Sequence, residues 1–177
     1  MTKGLTLIEL MVSVVILSFL TLCIFSLLNI GDLSWRTDMG LLDLQQQARQ
    51  AMHGMVRELR QGINTSVNNV TITNGTMIEF YVYNVTNSIA YYLQQDRIIR
   101  EHPSGTTRVL ATDIDSISFC CCQQDTDCDP SECNSNCTFP GSPNAADIKI
   151  HITAGKTVKF RNLSFDLTEK VKLRNEE

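Results

Sequence analysis

An α+β fold, with a long N-terminal helix packed on an antiparallel β domain that carries a cysteine-rich insertion, is what this sequence predicts. Three observations carry it. Residues Leu10–Ile30 form 21 consecutive positions without a charge. Apolar residues then recur at three- and four-residue spacings, and from Val70 the pattern changes to period two with β-branched and aromatic residues. A composition of 43% apolar and 19% charged residues excludes both a disordered tail and a multi-span membrane protein. The net charge of −4 provides no basic surface of the size that drives nucleic-acid binding, so no nucleic-acid partner is expected.

The first element is the uncharged stretch LMVSVVILSFLTLCIFSLLNI. As a helix it extends roughly 32 Å and matches a hydrocarbon core about 30 Å thick, so one transmembrane span is expected. A cleaved secretory signal has an apolar core of only about 7–15 residues and a small-residue cleavage site, which this stretch does not resemble. Lys3 precedes the span and Asp32 follows it, which places the N-terminus in the cytoplasm and residues 31–177 outside. Glu9 breaks the pattern, because a carboxylate beside so apolar a run asks for a cationic partner or a route to the headgroups.

The residues around Glu9 choose between these. Lys3-Gly4-Leu5-Thr6-Leu7-Ile8-Glu9-Leu10 resembles the class III signal of type IV prepilins and pseudopilins, in which a short basic leader ends in Gly and the mature chain continues as an apolar helix with Glu fifth. The resemblance implies cleavage by a prepilin peptidase between Gly4 and Leu5, N-methylation of Leu5, and a Glu9 carboxylate that faces the Leu5 amine of a neighbouring subunit. It also implies a bacterial inner-membrane location with the C-terminal domain periplasmic or extracellular. The implied partners are other pilins or pseudopilins through the N-terminal helix, the peptidase, the assembly platform and the membrane. Two departures stand out: Leu5 replaces the usual Phe, and no Pro occurs before Pro103, with Ser26 where major pilins often carry one. The missing Pro fits a minor pilin or pseudopilin better than a bulk filament subunit.

Beyond Gly31-Asp32, the residues Leu41, Leu44, Ala48, Ala51, Met52, Met55, Val56 and Leu59 form an apolar stripe, with Gln45, Gln46, Arg49, Gln50, Arg57 and Arg60 on the other face. A nearly continuous helix from about Leu5 to Gln61 is expected, despite about 1 kcal/mol each for Gly40 and Gly54. His53 is read as a surface residue of this helix. Asn74-Gly75 between Val70–Thr73 and Thr76–Tyr83 signals a hairpin. Further strands are expected at 89–94, 97–101, 108–111, 114–120, 147–153, 157–161 and 165–174. The order of the pieces is similar to W-type minor pilins and J-type pseudopilins, with Met-Val-Arg-Glu-Leu-Arg-Gln ending the helix and Val171-Lys172-Leu173-Arg174-Asn175 near the end of the chain.

The expected organisation is a leader at 1–4, a transmembrane and filament-core helix at 5–30, an amphipathic helix at 31–62, and a β domain at 63–177 with an insertion at about 120–144. Cys120, Cys121, Cys122, Cys128, Cys133 and Cys137, six of the seven cysteines, crowd that insertion. In an oxidising compartment they read as three disulfides. Adjacent cysteines rarely pair, so the first three are expected to reach the last three. A zinc–thiolate site is the competing reading, although no closed CxxC pair exists. Asp125, Asp127 and Asp129 alternate like the start of a calcium loop, yet Pro130 stands where Gly is required and no Glu follows at the twelfth position. Calcium is the one cofactor these residues suggest, against a solvated acidic loop.

No nucleophile motif, Walker A or dinucleotide fingerprint occurs, and His53, His102 and His151 lack ligand spacing, so no enzyme is expected. The Asn-x-Ser/Thr sequons at Asn64, Asn69, Asn74, Asn84, Asn136 and Asn162 read as polar sheet surface. The sequence thus points to a structural subunit of a type IV pilus or a type II secretion pseudopilus, at assembly initiation or in a tip complex. The alternative is a single-pass exported protein with a disulfide-rich or metal-binding loop that never enters a filament.

Overall fold

The computed structural model describes residues 7–63, 70–82, 87–123, 146–159 and 161–173. The chain divides into two compact units, Met1–Met39 and Gly40–Glu177. The first is helical wherever it is described. Helix α1 spans Leu7–Leu59, so it continues into the second unit and closes two residues before the expected Gln61. Gly31 leaves the helix unbroken, since no Pro accompanies it.

In the second unit, α1 is followed by β1 (Gly62–Ile63), β2 (Thr71–Thr73), β3 (Met77–Val82), β4 (Ile89–Gln94), β5 (Arg97–Glu101), β6 (Thr107–Ala111), β7 (Ile114–Gln123), β8 (Ala146–Val158) and β9 (Arg161–Lys172). All pairings are antiparallel. One sheet runs β1-β3-β4-β5-β6 with β2 also on β3, and a second runs β7-β8-β9. The sheets meet along β7, where Phe119 N–H donates to the Gly75 carbonyl at 2.7 Å and Ile114 N–H to the Asp96 carbonyl at 3.1 Å. Period-two patterning explains the inner faces: Ile148, Ile150, Ile152 and Ala154 of β8 are buried, as are Ile117, Phe119 and Cys121 of β7.

The helix stripe fills the space between these faces. Leu44, Ala48, Ala51, Met52, Met55, Val56 and Leu59 are all buried and share one core with Ile78, Phe80, Tyr91, Ile98, Ile114 and the β8 isoleucines. The α+β assignment therefore holds, with the helix packed on antiparallel sheets. Polar ties fix its rotation. Thr112 donates from both N–H and hydroxyl to Gln47 Oε1 at 3.1 and 3.0 Å. Lys156 Nζ lies 2.8 Å from Asp113 and 3.6 Å from Asp43.

Two strand expectations need correction. The segment 147–153 and the start of 157–161 belong to one strand, β8, which runs straight through Gly155 to Val158, and β9 begins at Arg161 rather than at Phe165. Gly155 serves a close approach, because a Cβ there would collide with the Asp115 carboxylate. The chain reverses instead at Lys159, in the left-handed region at φ 53°. At the other hairpin, Asn74 and Gly75 both have positive φ, 53° and 71°, as a primed turn requires, and Thr73 pairs with Met77 so that Thr76 is the extra residue. Asn74 lies in that turn and Asn162 in β9, while the other four sequon asparagines fall outside the described residues.

Two helix-end glycines should respond oppositely to the same substitution. A Cβ on Gly62 would lie 2.9 Å from the Leu59 carbonyl oxygen and 3.1 Å from Phe80, whereas nothing lies within 4 Å of one on Gly54. Gly62→Ala should destabilise the fold by about 1–3 kcal/mol through overpacking, and Gly54→Ala should stabilise it by about 0.5–1 kcal/mol through helix propensity. Denaturant melts of the two variants check the opposite signs.

Candidate functional site

The N-terminal half of α1 is apolar on every side. From Leu7 to Ile30 each large apolar side chain is at least half exposed, from 52% at Val12 to 79% at Leu7. At roughly 1.5–3 kcal/mol for each such side chain left in water, the surface requires an apolar environment. Its polar side chains are arranged to accept one. Ser13 and Ser18 hydroxyls donate to the carbonyls of Glu9 and Val14, both at 2.7 Å, Thr21 to that of Leu17, and Asn29 Nδ2 to that of Phe25 at 2.9 Å. Each donor is thus satisfied within its own helix, as lipid demands. Glu9 lies in the first described turn of α1.

Where the apolar run ends, the surface chemistry changes within one turn. Arg36 Nε donates to both Asp32 carboxylate oxygens at 2.9 and 3.0 Å, and Trp35 between them is 64% exposed. Trp with adjacent charges is the composition favoured at a membrane–water boundary. The sequence reading took Asp32 as the exit marker and overlooked Trp35, whose place one turn past Ile30 was the available signal.

Residues 1–22 match the prokaryotic N-terminal methylation motif. The match supports a type IV prepilin-like protein, as the opening residues implied, and the apolar N-terminal helix fits a membrane-anchored pilin. Comparison with curated proteins gives no match. Gly4 and Leu5, the expected cleavage pair, lie outside the described residues.

The cysteine window is described only at its entrance. Cys120, Cys121 and Cys122 are buried in β7; Cys121 joins the main core, while Cys120 and Cys122 share a second cluster. All three are disulfide-bonded, with partners outside the described residues, and Cys23 is free. Cys128, Cys133 and Cys137 are outside the described residues, as are Asp125, Asp127 and Asp129. Among the described residues no cluster of three His, Cys, Asp or Glu side chains could hold a metal ion. His53 is exposed on α1, and the His151 ring meets the hydroxyls of Thr168 at 2.8 Å and Thr153 at 3.3 Å. Asp147, paired in register with Cys122, is 5% exposed; its Oδ2 lies 3.0 Å from Lys170 Nζ.

The sequence reading also missed a polar knot where the helix ends. Tyr91 on β4 donates its hydroxyl to Glu58 Oε2 at 2.7 Å, and Arg100 on β5 donates Nε to Glu58 Oε2 and Oε1 at 2.9 and 3.2 Å. The Tyr91 ring is fully buried and stacks on Phe80 with centroids 6.1 Å apart. Burial first, and then the bond to the Glu58 carboxylate, hold the Tyr91 proton far above the ordinary phenol range. The three residues are 9 to 42 positions apart in the sequence, too far for a spacing rule to link them.

A raised phenol pKa stabilises the folded state below the unfolded value of about 10, and that contribution is lost as pH rises above it. The wild-type fold should therefore lose stability above about pH 10 more steeply than Tyr91→Phe, which should itself cost about 0.5–1.5 kcal/mol at neutral pH. Melts from pH 7 to 12 compare the slopes. Phenolate absorbance should show one of the four tyrosines titrating only on unfolding.

Proposed function

We infer that the protein is a minor pilin or pseudopilin, a structural, non-catalytic subunit of a type IV pilus or a type II secretion pseudopilus. It is cut between Gly4 and Leu5 by the prepilin peptidase, N-methylated at Leu5, and assembled from the inner membrane through its helix. The observation that carries the reading is a methylation motif running directly into a helix whose apolar surface is uncovered among the described residues. Such a helix exchanges lipid for the similar helices of neighbouring subunits at little cost in apolar contact. The orientation follows from Lys3 before the span and Asp32 after it. The organisation proposed is the leader 1–4, helix 5–30, amphipathic helix 31–62 and outer domain 63–177.

Glu9 sets axial register in this reading. Its carboxylate meets the Leu5 amine of a neighbour in a low dielectric, where an opposite-charge pair offsets the burial of both groups. Glu9→Leu should favour insertion by roughly 1–3 kcal/mol and leave cleavage after Gly4 intact, yet deplete the variant from sheared filaments or the tip complex. Intact mass of the membrane form gives the cleavage state, and quantitation in the sheared fraction gives assembly. Wild-type recovery of the variant in filaments would overturn the pairing, and a mature N-terminus at Met1 would favour an exported anchor outside any filament.

For the outer domain we infer that Cys120, Cys121 and Cys122 pair with Cys128, Cys133 and Cys137, stapling the acidic window to the end of β7. Alkylation of the unreduced protein should label Cys23 and none of these six. One equivalent of bound zinc, with thiols appearing on chelation, would replace the disulfide reading by the metal one. Calcium titration monitored by the same mass measurement tests Asp125, Asp127 and Asp129 as ligands.

A further inference from the structure

One row of side chains crosses the first sheet on the face that meets α1. In register it runs Ile78, Tyr91, Arg100 and Arg108, so it leaves the core at β3 and ends on β6 with two arginines directly opposite each other. Like charges in that position repel. The carboxylate at hand, Glu58, is already engaged by Tyr91 and Arg100. Arg57 brings a third guanidinium from α1, and among the described residues neither it nor Arg108 makes an ion pair. All three arginines line an open groove of about 440 Å³ between α1 and β6. Its helix wall includes Gly54, where nothing lies within 4 Å of an added Cβ, so the missing side chain leaves space at a cost in helix stability.

The walls select the ligand. Each uncommitted guanidinium presents paired N–H donors that match a planar carboxylate. Arg57 stands on the helix and Arg108 on the strand, an arrangement that suits two separate carboxylates, and the Glu58 carboxylate in the same groove disfavours a densely charged group such as phosphate. The strand wall adds a second requirement. Among the described residues β6 is hydrogen-bonded to β5 alone, and its Thr107, Arg108 and Val109 are exposed, so its outer edge is open to a further strand. An extended peptide with acids at alternate positions meets both requirements, because its backbone continues the sheet and its carboxylates share one face. We propose that the groove recognises an acidic extended segment of a partner protein, added as a strand on β6 with its carboxylates on Arg57 and Arg108. The row that ends on two like charges then ends on the opposite one.

The test is a fluorescein-labelled, end-capped peptide of alternating Glu and Thr, titrated with the detergent-solubilised full chain and followed by anisotropy. It should saturate a single site, and a counterpart with Gln for Glu should bind at least about tenfold more weakly. Arg57→Gln and Arg108→Gln should each weaken binding about tenfold. N-methylation of alternate peptide nitrogens, which leaves every charge in place, should weaken it as strongly, since an added strand needs those donors. Gly54→Leu should abolish binding yet melt no lower than wild type, which separates a filled groove from a misfolded domain. Equal binding of the two peptides, indifference to Arg57, Arg108, Gly54 or N-methylation, or displacement by succinate at the peptide's own concentration overturns the assignment. So does self-association of the chain that Arg108→Gln abolishes, because the occupant would then be a second copy. The pilin reading fails by a different result, a mature N-terminus at Met1, whatever the peptide does.

Discussion

The second half of α1 is the element on which the outer domain is built. Neither sheet has an apolar layer of its own to bury against: the β3–β6 face and the β7–β9 face both close onto Leu44, Ala48, Met52, Met55 and Leu59. The helix is accordingly the shared wall of one core. Its polar ties are set along that wall, from Asp43 and Gln47 to Glu58, each reaching a different strand or turn. Rotation of the helix by one residue would break all of them together, so packing and hydrogen bonding specify the same register.

The other half of the same helix obeys the opposite rule. Its side chains are as apolar as a core and as exposed as a surface, a combination that water does not tolerate over this length. The change of regime happens without a break in the backbone, between the Asp32–Arg36 pair and the buried Leu44. One secondary-structure element thus serves two solvents, and the chemistry of its surface alone marks the boundary.

Most of this was legible in the residues. The uncharged run, the Gly4–Glu9 segment and the apolar stripe from Leu44 to Leu59 are local patterns, and local patterns survive in a single sequence. The errors came where one residue type can mean two things. The expected break between 153 and 157 spans Gly155, but the need for space beside Asp115 lies on another strand and leaves no mark at position 155. The reversal at Lys159 has neither Gly nor Pro nor Asn to announce it, since the long β8–β9 ladder on either side imposes it. The Glu58, Tyr91 and Arg100 knot was illegible for a related reason: the three are ordinary helix and strand residues until the fold brings Tyr91 and Arg100 within 3.2 Å of Glu58.

Ser13, Ser18, Thr21 and Asn29 of the N-terminal half lend their donors to carbonyls one turn back. Polar groups so occupied make no demand on whatever lies alongside them. Past Glu9, these four side chains can meet hydrocarbon or other apolar helices without exchanging hydrogen bonds. A surface of that kind lowers the cost of moving between apolar environments, and it does so in both directions.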